Sequence, residues 1–69
     1  MNIILLREND WTSGQSVCLS DYRAQHIISV IQPALGQSLR VGLINGHKGI
    51  GTVTAIDRAT VQLEVALTD

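Results

Sequence analysis

The chain has 69 residues, a net charge of −1, and 22 positions occupied by Ile, Leu or Val. That is one small aliphatic-cored domain, and charged residues at 16% are too few for a disordered acidic or basic tail. Trp11 and Tyr22 are the only large aromatics, which excludes a surface of successive stacked rings for single-stranded nucleic acid.

Further function classes fall away on residue type. Neutralising phosphates supplies most non-specific nucleic-acid affinity, so a chain with five Lys/Arg against six Asp/Glu needs local cationic patches or a second domain to bind RNA. The single Cys18 excludes an internal disulfide and suits a reducing compartment, with the cytoplasm as the expected location. Cys18, His26 and His47 do not fall at zinc-ligand spacing. The apolar run Ile3–Leu6 is too short for a membrane span or a signal-peptide core.

In chain order, residues 2–7 (NIILLR) predict a short buried strand. Residues 8–15 (ENDWTSGQ) are polar and turn-rich, hence a loop. Residues 16–19 (SVCL) predict a brief second strand. Ser20 is a suitable helix N-cap and Asp21 suits the first turn. Ala24, Ile27, Ile28 and Ile31 then fall at i, i+3, i+4 and i+7, an apolar stripe that predicts a helix over 21–31. Pro33 ends it by biasing Gln32 out of the helical region.

After Gly36 the period switches to two. Leu39, Val41 and Leu43 alternate with Ser38, Arg40 and Gly42; residues 50–56 follow; Val61, Leu63, Val65 and Leu67 alternate with polar or small residues. This predicts an antiparallel three-stranded meander. Its first turn is marked by Asn45-Gly46, with Gly49 and Gly51 suggesting a longer, flexible tip, and its second by residues 57–60. The sum is a mostly β fold, a small barrel of about five strands capped by one helix. The chain stops just after a strand, as a domain cut from a longer protein would.

Catalysis has no foothold in this pattern. Asp10 and Asp21 are not placed as an acid/base pair, and Cys18 with His26 reads as a small buried hydrophobe beside an unrelated imidazole. No glycine-rich phosphate loop precedes a helix. Binding has more support. Arg23 and His26 lie three apart on one flank of the helix and can meet one phosphate or base edge. The tip Asn45-Gly46-His47-Lys48-Gly49 adds a cation and an imidazole on a hairpin. Arg7 ends the first strand, Arg40 points away from the core, and Arg58 sits in a turn. If several of Arg7, Arg23, His26, Arg40 and Lys48 converge, that surface is a binding site; if they scatter, there is none, and the helix flank is a solvated face with His26 half-packed on the barrel.

The stretch LSDYRAQHIISVIQPALGQSLRVGLINGHKGIGTVTAIDRATVQLEVAL resembles the N-terminal domain of the ribosomal RNA small subunit methyltransferase E family. That family carries a helix of the pattern R-x-x-H-(I/L)-x-x-V-L-R, a Gly before the next strand, and a glycine-rich hairpin. Arg23, His26, Ile27, Val30, Ile31, Gly36, Gly46, Gly49 and Gly51 match it. The resemblance implies a PUA-like β-barrel that binds small-subunit (16S) ribosomal RNA. It also implies a C-terminal SPOUT-type domain, absent from these 69 residues, which binds S-adenosylmethionine, forms the homodimer and methylates N3 of a uridine. The expectation from the resemblance is a single RNA-positioning domain over residues 1–69, with Arg7, Arg23, His26 and Lys48 as its RNA-binding residues and with no cofactor and no catalysis of its own. Two departures stand out: Gln32 replaces the arginine that usually ends the helix, and Ile4-Leu5-Leu6 replaces the family's aromatic run. The competing expectation is a structural barrel that docks on its partner domain without touching RNA.

Overall fold

The computed structural model describes residues 3–68. Six strands build one curled, half-barrel sheet: β1 (Ile4–Leu6), β2 (Trp11–Ser13), β3 (Ser16–Leu19), β4 (Ser38–Leu43), β5 (Lys48–Ile56) and β6 (Val61–Leu67). Their spatial order is β1-β4-β5-β6-β3-β2. The alternation expected after Gly36 produces the antiparallel meander β4-β5-β6, with Val41 opposite Gly49 and Gly51 opposite Val65. β1 joins the sheet in parallel beside β4. The mostly β architecture with one capping helix is as the sequence predicts.

The inward positions form one aliphatic core. Leu6, Val17, Leu19, Val41, Val53, Val61 and Leu63 are essentially inaccessible, and Ala24 and Ile27 of the helix close over them. Ile28 and Ile31 pack partly against this cluster, so the apolar stripe faces the core as its spacing requires. The helix itself departs from the regular form. α1 (Tyr22–His26) is a true α-helix for five residues and then widens into a π-turn over Ile27–Ile31, with the Gln32 N–H donating to Ile27 O at 2.8 Å. Its N-cap is Asp21 rather than Ser20: the Asp21 carboxylate accepts the Arg23 N–H. The helix ends on Gln32 in the left-handed region at φ 52°.

Two other expectations are corrected. The loop predicted over residues 8–15 contains a 3₁₀ turn (Glu8–Asp10) and the short edge strand β2, giving six strands rather than five. Gly49 and Gly51 do not loosen the hairpin tip but lie buried inside β5. A Cβ at Gly49 would stand 2.5 Å from Ala66 O and 2.9 Å from Leu67 Cα, so β6 can approach this closely only because the residue is glycine. The tip proper is residues 44–47, where the Leu43 N–H donates to His47 O and Gly46 turns at φ 102°. Among the described residues, no helix is long and apolar enough to cross a membrane.

Candidate nucleic-acid interface

The segment from Arg7 to Ser13 is a strap that leaves the end of β1, folds into the 3₁₀ turn and enters the sheet again as β2. It is held by a charge cluster. Arg23 is only 6% exposed, and Asp10 is buried beside it. Arg23 Nη1 donates to Leu5 O and Asp10 Oδ2, both at 2.6 Å; Nη2 donates to Asp10 Oδ1 at 2.8 Å and Asp21 Oδ2 at 2.7 Å; Nε donates to Asp21 Oδ1 at 3.0 Å. A guanidinium carries five N–H donors, and all of them are engaged here. Asp10 Oδ2 also accepts the Arg7 N–H at 2.7 Å.

The electrostatics follow from this geometry. The hydrogen bonds from Arg23 hold the Asp21 carboxyl at about 2, down from its ordinary 3.8. At Asp10, burial pushes the pKa up, but the Arg23 hydrogen bonds, the Arg7 N–H and the Arg23 charge outweigh it and leave the pKa lowered. Arg23 is shifted up, by Asp10 first and Asp21 second. The cluster is therefore ionised at neutral pH, and among the described residues no buried side-chain nitrogen or oxygen lacks a hydrogen-bond partner.

This changes the role expected of Arg23. It is turned inward and its N–H groups are all taken by Leu5 O, Asp10 and Asp21, so it braces the strap and has none left for a phosphate. Chain order gave some signal of this, since Asp21 and Arg23 stand two apart at a helix start. The partner Asp10, thirteen residues upstream in a polar stretch, is what sequence reasoning missed.

The other expected residues lie apart from one another. Leu5, Gly42 and Lys48 form one row across β1, β4 and β5, so Arg7 at the end of β1 and Lys48 at the start of β5 leave the same end of the sheet. Both are exposed. Arg40 lies opposite Ile50, two rows further along the sheet. His26, half-buried, lies instead along the outer edge of β1, where it lines a shallow pocket with Tyr22, Ile3 and Leu5. Cys18 on β3 pairs with Gln62 near the other edge of the sheet and is partly exposed, not the buried hydrophobe expected, because it lies between the buried Val17 and Leu19 on the opposite face of the strand. The register thus places Arg7 and Lys48 at one end of the sheet, while His26 lines a pocket that includes neither.

A concavity opens at that same end, between the strap and the corner where β4 turns into its hairpin, with a volume of about 560 Å³. Leu6, Trp11, Leu43 and Ile44 form its apolar part. Arg7, Glu8, Asn9 and Asn45 supply its polar groups. Sequence reading placed Trp11 only as an apolar residue in a loop.

No known protein-family profile matches the sequence, and no curated protein matches it. Solved structures share its fold. A protein of unassigned function matches with a TM-score of 0.83 at 11% identity, over 99% of this chain and 29% of that one. A ribosomal RNA small subunit methyltransferase E from Neisseria gonorrhoeae, bound to S-adenosyl methionine, matches with a TM-score of 0.77 at 22% identity, over 100% of this chain and 28% of its own. A candidate methyltransferase from Legionella pneumophila, with its cofactor SAM bound, matches with a TM-score of 0.72 at 18% identity, over 96% of this chain and 28% of that one. At these identities the likeness is one of fold, and the chain spans less than a third of each of these proteins.

Proposed function

We propose that this chain is the RNA-binding and RNA-positioning domain, PUA-like in type, of a cytoplasmic S-adenosylmethionine-dependent methyltransferase acting on small-subunit ribosomal RNA. The cofactor, the methyl transfer and the dimer contacts belong to a C-terminal catalytic domain. The observation that carries this reading is the match of the entire chain to 28% of a ribosomal RNA methyltransferase at a TM-score of 0.77. Arg7 and Lys48 are the proposed phosphate contacts, with His26 a separate contact along the β1 edge. Arg23 acts as a positioning residue, because Asp10 links its guanidinium to the Arg7 backbone.

The test is a titration of the chain with a small-subunit ribosomal RNA fragment over a range of salt. With a net charge of −1, the expected Kd is near the non-specific level of roughly 10⁻⁴–10⁻⁶ M. Each phosphate neutralised on a single strand contributes about −0.7 to the slope of log K against log salt. Removing Arg7 and Lys48 together, as alanines, should flatten that slope by about 1.4. An unchanged slope removes this end of the sheet from the interface.

A second reading has its own observation. Ile3, just before β1, and Leu5 on β1 are 44% and 51% exposed, and Gly42 on the neighbouring β4 adds no side chain over them. Such a patch suits docking on a partner domain with no RNA contact. Absence of any salt-dependent RNA binding favours that reading.

A further inference from the structure

We propose that the cleft between the strap and the β4–β5 corner holds one unstacked nucleotide of a single-stranded RNA, its base lying against Trp11. This rests on the RNA-binding reading above and names the part of the RNA that this end of the sheet recognises. The argument starts from the apolar part of the cleft. Trp11 is half-buried, packing partly on the core while also lining the opening. Across from it Ile44 is 67% exposed, a large aliphatic side chain left uncovered at the corner of a hairpin. A planar ring between an indole and an aliphatic wall gains dispersion and apolar burial whatever its identity.

The polar groups then select for a base over a plain hydrocarbon. Asn45 Oδ1 accepts the His47 N–H at 3.3 Å, and Asn45 lines the cleft with an amide nitrogen that can donate to a base. Asn9 offers both a donor and an acceptor. Base edges present carbonyl oxygens, ring nitrogens and amino groups, the complement of these amides. Arg7 brings a positive charge to the mouth for the phosphate. Glu8 disfavours phosphate on its own side, and its carboxylate is suited to accept a ribose 2′-OH or a base N–H.

The wall is also held in place before binding. Asp10, between Asn9 and Trp11, takes the Arg7 N–H and two Arg23 N–H groups, so little ordering of the strap remains for the ligand to induce. With one tryptophan in the chain, this is a site for one base and not for a run of them.

Because Trp11 is the sole tryptophan, its fluorescence reports directly on the cleft. The experiment titrates the chain with an unstructured single-stranded RNA of about ten nucleotides, following Trp11 emission and, with an end-labelled copy, anisotropy. The expected result is quenching of Trp11 that saturates on the same curve as the anisotropy. Trp11→Leu should weaken binding roughly ten- to a hundredfold, the loss of one base–aromatic stack. Asn9→Ala, an exposed position away from the core, should weaken it by about fivefold to tenfold and serves if Trp11→Leu fails to fold. RNA binding that leaves Trp11 emission unchanged, with Asn9→Ala binding like the parent, overturns the cleft while sparing the RNA reading. No binding by anisotropy overturns both.

Discussion

The meander and the strap solve the same problem by different physics. In β4, β5 and β6 the chain is held by backbone ladders and by apolar side chains at every second position, so order comes from neighbours close in sequence. The strap has three strand residues at an edge, a one-turn 3₁₀ segment and little apolar surface. Its position is set by a single guanidinium that reaches Asp10, Asp21 and the carbonyl of Leu5. A ladder tolerates many substitutions because its bonds are many and each is modest. A buried ionic knot does not, because removing one partner strands charges that have left water.

The largest expected effect tests that contrast. Arg23→Ala leaves Asp10 buried without its cation and should cost about 3–5 kcal/mol, measured by urea denaturation. The damage should concentrate in residues 7–13, as early hydrogen exchange and a red shift of Trp11 emission while the meander amides stay protected. Arg23→Lys should recover little, since one ammonium does not reproduce the planar fork that meets two carboxylates and a carbonyl. Uniform loss of protection across the chain would mean that the strap and the meander are one cooperative unit.

Leu63→Ala is the matching lesion in the ladder. Leu63 is 1% exposed and faces Val53 and Val17 on the neighbouring strands, so its truncation should cost about 2–5 kcal/mol through lost burial and the cavity left behind. Here exchange should accelerate throughout β3–β6, with no selective effect on residues 7–13. The pair of variants, compared by amide exchange, separates a local latch from a global core.

The same contrast explains how much was legible in the sequence. A period of two in residues 38–43 and 61–67 has one physical interpretation on a sheet with a buried face, and the meander followed from it. The isoleucine stripe likewise fixed which side of the helix meets the core. The strap left no periodic trace: three residues of β2 are too short for one, and the 3₁₀ turn is stabilised by an Asp10–Arg23 contact that only the tertiary fold brings together. Exposed chemistry on a helix and a buried structural cation also look identical in one dimension. Arg23 and His26 fall three apart either way, and only the location of Asp10 decides that the first is inside. The cleft was unreadable for the same reason, since it joins Trp11 to Ile44 through the parallel pairing of β1 with β4.

Acid gives a graded test of the knot. Asp21 titrates at about 2 in the folded chain against 3.8 ordinarily, and Asp10 is lowered in the same direction. Carboxyls with depressed folded values lend stability above their unfolded values and lose it as pH falls through the folded ones. The contribution is therefore complete above about 4 and drains away toward about 2. Asp21→Asn keeps an amide oxygen able to cap the helix but cannot titrate. Its stability should trail the parent's at neutral pH, with the difference shrinking between those limits in denaturation curves. A difference that stays constant across the window would show that the Asp21 charge contributes nothing beyond its cap.

The smallest effect lies at the far end of the helix, where neither ladder nor knot operates. Gln32 holds φ at 52°, a region that costs a residue with a Cβ about 1–2 kcal/mol. Its side chain returns only a long hydrogen bond, from Nε2 to Ser29 O at 3.4 Å on the surface. Glycine relieves the strain, while the unfolded chain gains freedom worth roughly 0.5–1 kcal/mol. Gln32→Gly should therefore stabilise the fold slightly, by up to about 1 kcal/mol, seen as a higher urea midpoint with an unchanged slope. The alternative is informative as well: a destabilised variant would mean that the π-turn over Ile27–Ile31 depends on the Gln32 side chain to terminate. The end of the helix would then be a third point of side-chain control, alongside Asp21 at its start and Arg23 in its first turn.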